Sequence, residues 1–467
     1  VKIGLLGGSY QERSLPLDAQ RSINLFPVLD DKGGKEVGAL YGTPGLSLFV
    51  TCGVGPVRAC FYSANGRCFI VSGTGLYELT SAGVATLRGT LDTSSSIVSI
   101  DENPFQLGFC DGTYVYTFTY ATNTFLKVID PDIPIAGTLT YLDGYFIITK
   151  VDTGSFYISA INNGDSWAAL DFATAESSPD QLLRCINAVG QLWLFGTKTT
   201  EIWSNTGASS FPFARISGAK METGILAPHS AVPVDNSVIW VGRDNIGSGV
   251  VFRAQGFTPQ RISTNAIELI LQQASSPSTL RAYTYQQDGH TFYVITGGGL
   301  STTLVYDLST GFWHERAYTN TSGVFEAHLG ACGAFAFDRQ LLGDRRNGSV
   351  YTMSMTVYSD NGDAIARERI YTHISDENKQ IRYNSLDIGF EVGLGLQTGQ
   401  GSAPVMSLCV SRDGARTWSS WQNKSIGRVG KYLTNVVFKR LGVSQIMTFR
   451  LRISDPVRVA ITGSYLR

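Results

Sequence analysis

Histidines (5), cysteines (7) and acidic residues (38) are the raw material for catalysis or metal binding in this 467-residue chain. Their spacing argues against both. His229, His290, His314, His328 and His373 are dispersed, with no HExxH or other close ligand spacing, so each reads as a strand or turn residue. Cys52, Cys60, Cys68, Cys110, Cys185, Cys332 and Cys409 contain no CxxC. Cys60 and Cys68 are placed to face each other across a hairpin, and the set as a whole reads as buried free thiols made in a reducing compartment. No GxSxG elbow, no GxxxxGK[ST] phosphate loop and no GxGxxG after a strand is present. Gly297-Gly298-Gly299 lies in a hairpin turn with no helix behind it, and Asp30-Asp31 is a loop pair.

One octapeptide points the other way. Ser411–Trp418 (SRDGARTW) resembles the Asp box of sialidases, with Ala415 where that motif has Gly. The motif shapes a hairpin turn and carries no catalysis, and it occurs here once. The expectation is therefore a chain that is not an enzyme, with no catalytic, cofactor or metal residues. The alternative is a glycan-active or host-surface-binding β-propeller.

The elements that would position any site follow from composition. Only 16% of residues are charged, 11% are aromatic, and 51 are glycine. Few charges, many aromatics and many glycines describe short strands joined by tight turns, an all-β chain. No apolar run reaches 18 residues, so no membrane-spanning helix is expected.

An aromatic strand followed by a turn and a return strand recurs, anchored at Tyr77, Tyr116, Tyr157, Trp203, Phe252, Tyr306 and Tyr351. The mean spacing is about 46 residues, the length of a four-stranded propeller blade. Two further strand-like runs precede each anchor, and Asn65-Gly66, Asp143-Gly144 and Asp288-Gly289 mark hairpin turns with φ > 0. These repeats predict a six- to seven-bladed β-propeller over 55–356, with seven the better fit. Its last unit lacks a return strand, and Leu46–Val50 is predicted to supply one and close the ring. The one predicted helix is Thr264–Ala274, capped by Thr264. Residues 1–54 then form an N-terminal extension, the polar stretch 357–384 a linker, and 385–467 a C-terminal β-sandwich-like domain.

The net charge of −1 hides a split. From Val405 onward eleven basic residues face only Asp413 and Asp455. The residues singled out for a partner or DNA interface are Lys424, Arg428, Lys431, Lys439, Arg440, Arg450, Arg452 and Arg458. Arg450 and Arg452 alternate with Leu451 and so should share one strand face.

Both ends of the chain carry motifs of one family. Ser9–Pro27 (SYQERSLPLDAQRSINLFP), Tyr41–Phe49 (YGTPGLSLF), Val305–Glu315 (VYDLSTGFWHE), the same Ser411–Trp418, Val429–Tyr432 (VGKY), Val437–Leu441 (VFKRL) and Phe449–Val459 (FRLRISDPVRV) resemble packaged-DNA stabilisation proteins, the tail accessory factors of P22-like short-tailed phages. The resemblance implies a structural virion protein of the tail hub, nozzle-like, made in the host bacterial cytoplasm. It implies a homo-oligomer, a hexamer, that attaches below the portal–adaptor connector, seals and stabilises packaged DNA and forms part of the ejection channel. Implied partners are the adaptor, the tail needle or plug, the tailspike and the double-stranded DNA in the channel, with no small-molecule substrate and no cofactor.

Overall fold

The computed structural model describes residues 2–30, 37–175, 178–243 and 247–467. Asp31 therefore lies outside the described residues. The regular structure of the described residues is almost wholly β-strand, paired mostly antiparallel, and seven consecutive sheets hold at least four strands each. All seven aromatic anchors fall on the third strand of their sheets: Gly75–Leu79, Val115–Thr119, Ser155–Ala160, Thr200–Asn205, Ser248–Gln255, Thr303–Asp307 and Ser349–Ser354. The spacing worked because each sheet repeats the same strand order, so one face of the third strand always meets a neighbouring sheet.

Seven apolar clusters fill the gaps between successive sheets. The first two sheets share Phe69, Leu107 and Phe118, the fourth and fifth share Trp193, Phe195 and Trp240, and the seventh and first share Val57, Ile70, Leu341 and Val350. No sheet has a core of its own, so each is stable only between its neighbours. Ring closure matches the expectation. Gly45–Thr51 pairs antiparallel with Ser349–Ser354, Leu46 opposite Met353 and Val50 opposite Val350, and completes the seventh sheet.

The hairpin chemistry is mixed. Asp143-Gly144 and Asp288-Gly289 hold φ > 0 at both positions, the two-residue turn that matches strand twist. At Asn65-Gly66 only the glycine does, because Ser63 and Arg67 close a longer loop there. Cys60 sits opposite Ile70, not Cys68. It instead meets Cys332 of the seventh sheet, Sγ to Sγ 3.1 Å, at the seam of the ring. The helix spans Asn265–Gln272, with the Thr264 side chain accepting from the Ile267 amide.

The second body is a sandwich of two sheets around Leu386, Met406, Leu408, Phe438, Phe449 and Leu451. Its composition differs from the expected 385–467. One sheet runs Leu25–Leu29, Gly38–Gly42, Ala460–Leu466, Ile381–Phe390, Val436–Ser444. The other runs Ala19–Ile23, Arg367–Ile370, Ile446–Ile453, Val405–Ser411, Gln422–Ser425. The segment read as an N-terminal extension thus supplies three sandwich strands besides the ring-closing one. Arg367–Ile370, in the stretch read as a linker, pairs with Ala19–Ile23 on one side and Ile446–Ile453 on the other. Ala19–Ile23 also meets Trp313–Thr319 of the sixth propeller sheet through Ile23 and Glu315, so hydrogen bonding continues from propeller into sandwich.

Candidate partner interface

A charged seam joins the two bodies. Arg367, Glu368 and Arg369 are all buried. Charged side chains are almost never buried without partners, and here the partners come from distant parts of the chain. Arg369 donates to the carbonyls of Gly7 and Gly8, to Ser22 Oγ and to Gln20 Oε1. Asn24, buried and at φ 55°, bridges Ala317 of the propeller to Ala366 of the sandwich, with three contacts of 2.9 Å.

Glu315 of the sixth propeller sheet receives Arg21 through two hydrogen bonds, 2.9 and 2.5 Å. Burial pushes the Glu315 carboxyl up, but the Arg21 charge and its hydrogen bonds outweigh that, leaving the pKa below the ordinary glutamate value. A folded-state pKa below the unfolded one stabilises the fold above the unfolded value, ~4.3. That contribution is lost as pH falls through the folded value. Glu315→Gln should therefore lower the urea midpoint at neutral pH and flatten its decline below about pH 4.3. A variant whose midpoint falls with acid as steeply as the parent's would remove Glu315 from the acid response.

Arg450 and Arg452 do share one strand face, but that face looks inward. Arg450 Nη2 donates to Glu368 Oε2 at 2.9 Å and Arg452 Nε to the same oxygen at 2.8 Å. Trp421 lies under both guanidinium groups, 5.4 and 5.0 Å away, and Arg452 also stands over Phe325 of the propeller. These two arginines are engaged in holding the bodies together. Arg458 is exposed and 3.4 Å from Glu391.

The other five lie on the open surface. Lys439 and Arg440 are exposed and, with Arg382, line a groove of about 530 Å³ that also includes Tyr383, Asn384 and Ser385. Arg440 stands at φ 62°, beside the irregularity where Ser385 pairs with Lys439. Lys424 is exposed on Gln422–Ser425, and Arg428 and Lys431 follow in a loop that also exposes Val429, Tyr432 and Leu433. The structure shows no ion pair for any of these five among the described residues. Sequence reading missed Arg382, whose position in a supposed linker hid its pairing with the C-terminal strands.

Ser411–Trp418 does form a tight turn. Asp413 accepts from Ser411 Oγ, from Thr417 Oγ1 and from the Thr417 and Arg416 amides, which hold its carboxyl well below the usual range. Ala415 takes φ 68°, the conformation for which glycine is usual. No group of three or more His, Cys, Asp or Glu side chains suited to a metal occurs among the described residues. His314 is buried in the propeller, and burial drives its pKa down to about 3. His290 meets Asp307 at 2.7 Å. Among the described residues no helix is long and apolar enough to cross a membrane.

No curated protein matches the chain. Among solved structures, the computationally designed Ika8 protein is 11% identical over 66% of this chain and 99% of its own, with a TM-score of 0.41. The Pan2 WD40 domain of Neurospora crassa is 9% identical over 64% of this chain and 89% of its own, with a TM-score of 0.42. Likeness at that level carries no functional information. The family models are more informative. The one described as Bacteriophage P22 Gp10, beta-propeller, matches residues 1–358, and the one described as Bacteriophage P22 Gp10, beta-sandwich, matches 366–467. With both models matched in order over nearly its whole length, the chain belongs to the bacteriophage P22 Gp10 family of phage structural proteins that stabilise packaged DNA.

Proposed function

We propose that this protein is a non-enzymatic hub of the phage tail. Copies of the chain, six by the family resemblance, form a ring below the portal–adaptor connector that seals the filled head and later conducts the DNA. The observation that carries this reading is the match of both family models along the whole chain. The hydrogen-bonded continuity between propeller and sandwich supports it, since a plug against packaged DNA must resist deformation. The tail needle and tailspike would attach to the same ring.

The docking surface we assign to the adaptor is the exposed basic set Lys424, Arg428, Lys431, Lys439 and Arg440. Their charges have no ion pair among the described residues, and Val429, Tyr432 and Leu433 beside them offer apolar area to a protein partner. A conduit gains nothing from gripping phosphates, so protein docking is favoured over DNA binding. Reversing Lys439 and Arg440 to Glu should weaken binding to DNA-filled heads by roughly tenfold, or about 1.4 kcal/mol. The loss should be larger at low salt, where exposed charges are least screened. Binding unchanged by these reversals and by Lys424→Glu, Arg428→Glu and Lys431→Glu would leave the basic face as solvated surface.

A further inference from the structure

The propeller axis holds a cavity of about 240 Å³ that neither the hub reading nor the family match uses. Residues from six of the seven sheets line it, and its charged wall is almost entirely basic. Arg184 enters from the fourth sheet, His229 from the segment leading into Val232–Val234 of the fifth, and Arg281 from the sixth. His229 and Arg281 face each other across an isolated bridge, and the His229 carbonyl accepts from the Ala282 amide.

Burial pushes the His229 pKa well down, so the two arginines carry the charge, and neither has an ion pair among the described residues. Arg184 Nε and Nη1 are shielded from solvent and have no hydrogen-bond partner among the described residues. The acidic side chain that acts on Arg184, Asp101, has both oxygens engaged: it accepts from the Glu102 and Tyr141 amides and from Thr140 Oγ1. Arg281 makes one long contact, 3.5 Å, to the Val57 carbonyl, and the titratable groups that act on it are the Cys60 and Cys332 thiols. Arg58, also on the wall, is different. It donates to the carbonyls of Gly73, Thr93 and Ser96 and to two hydroxyls, so it needs nothing further. Two guanidinium groups on one half-buried space with no carboxylate among its described lining residues is an unfavourable arrangement unless an anion completes it.

We propose that the axial cavity binds one small oxyanion of the phosphate or sulfate class, held by Arg184 and Arg281 beside His229. The planar guanidinium group offers donors matched to the oxygens of such an ion, and the unpartnered Nε and Nη1 of Arg184 each call for an acceptor. The volume admits an ion with its water and no polymer strand. The bound ion links the fourth, fifth and sixth sheets across the axis and so stabilises the ring.

The test is calorimetric titration of the full-length protein with inorganic phosphate, and separately with sulfate, at constant ionic strength set by chloride. The expected result is saturable one-to-one binding with a phosphate-dependent rise in Tm. Arg184→Gln and Arg281→Gln should each weaken binding at least tenfold, whereas Lys379→Gln, on an exposed turn of the sandwich, should leave it unchanged. No saturable binding by the parent protein overturns the proposal. So does binding that persists equally in both arginine variants, which would place the ion elsewhere on the basic surface. Should either variant misfold, Arg184→Lys keeps the charge and loses the fork, and a selenate-soaked crystal of the parent must show the anion between Arg184 and Arg281. An empty cavity there contradicts the inference.

Discussion

Deleting residues 1–54 should abolish folding of both bodies, the largest effect expected from any change to the chain. The segment closes the propeller through Gly45–Thr51 and supplies Ala19–Ile23, Leu25–Leu29 and Gly38–Gly42 to the sandwich. Arg316, buried in the sixth sheet, also donates to the Pro44 carbonyl at 2.9 Å and loses that partner. Because each propeller sheet is stabilised only by its neighbours, an open seventh sheet leaves Leu342, Tyr351 and Met353 without cover. A milder variant isolates ring closure. Leu46→Ala removes a side chain that is 1% exposed and should cost about 2–5 kcal/mol. Circular dichroism and size-exclusion chromatography of the 55–467 fragment settle the matter. A monodisperse fragment with a cooperative thermal transition would show that the N-terminal strands are dispensable.

Glu368→Ala should be the most damaging single substitution at the junction. It strands Arg450 and Arg452, both half-buried, opposite an apolar stub. Breaking a buried pair by removing one partner costs about 3–5 kcal/mol, whereas replacing the whole group with apolar residues is often neutral. Urea unfolding should therefore show a large midpoint drop for Glu368→Ala. Most of the stability should return when Arg450→Met and Arg452→Leu are combined with Glu368→Met. Equal loss in the single and triple variants would mean that packing of Glu368, not its charge, holds the seam.

The propeller was legible in the sequence because its signals are local. An aromatic third strand, a turn and a return strand recur within one unit, and even the missing fourth strand of the last unit pointed to Leu46–Val50. The sandwich was only half legible. Its longer C-terminal strands alternate clearly, but Arg367–Ile370 (RERI) carries charges where a core strand usually carries apolar groups, so it read as part of a linker. Only long-range pairing explains it: Glu368 needs Arg450 and Arg452, and Arg369 needs Gly7, Gly8 and Gln20. The same cause divides the basic residues. Alternation correctly put Arg450 and Arg452 on one face, but it cannot show that this face turns toward a buried glutamate. Lys424, Arg428, Lys431, Lys439 and Arg440 have no such hidden partner among the described residues and remain on the surface. Arg184 and Arg281 gave no signal, because a propeller axis gathers residues almost a hundred positions apart.

The central claim is that this protein closes filled phage heads by docking and not by catalysis. The most direct measurement is nuclease protection of the genome in DNA-filled heads produced without this protein, after adding the purified chain. The account predicts that DNA becomes protected in proportion to bound protein, that protection saturates at a fixed number of copies per head, and that the Lys439→Glu, Arg440→Glu double variant protects less at equal concentration. Heads that bind the protein stoichiometrically yet remain as open to nuclease as before would contradict it.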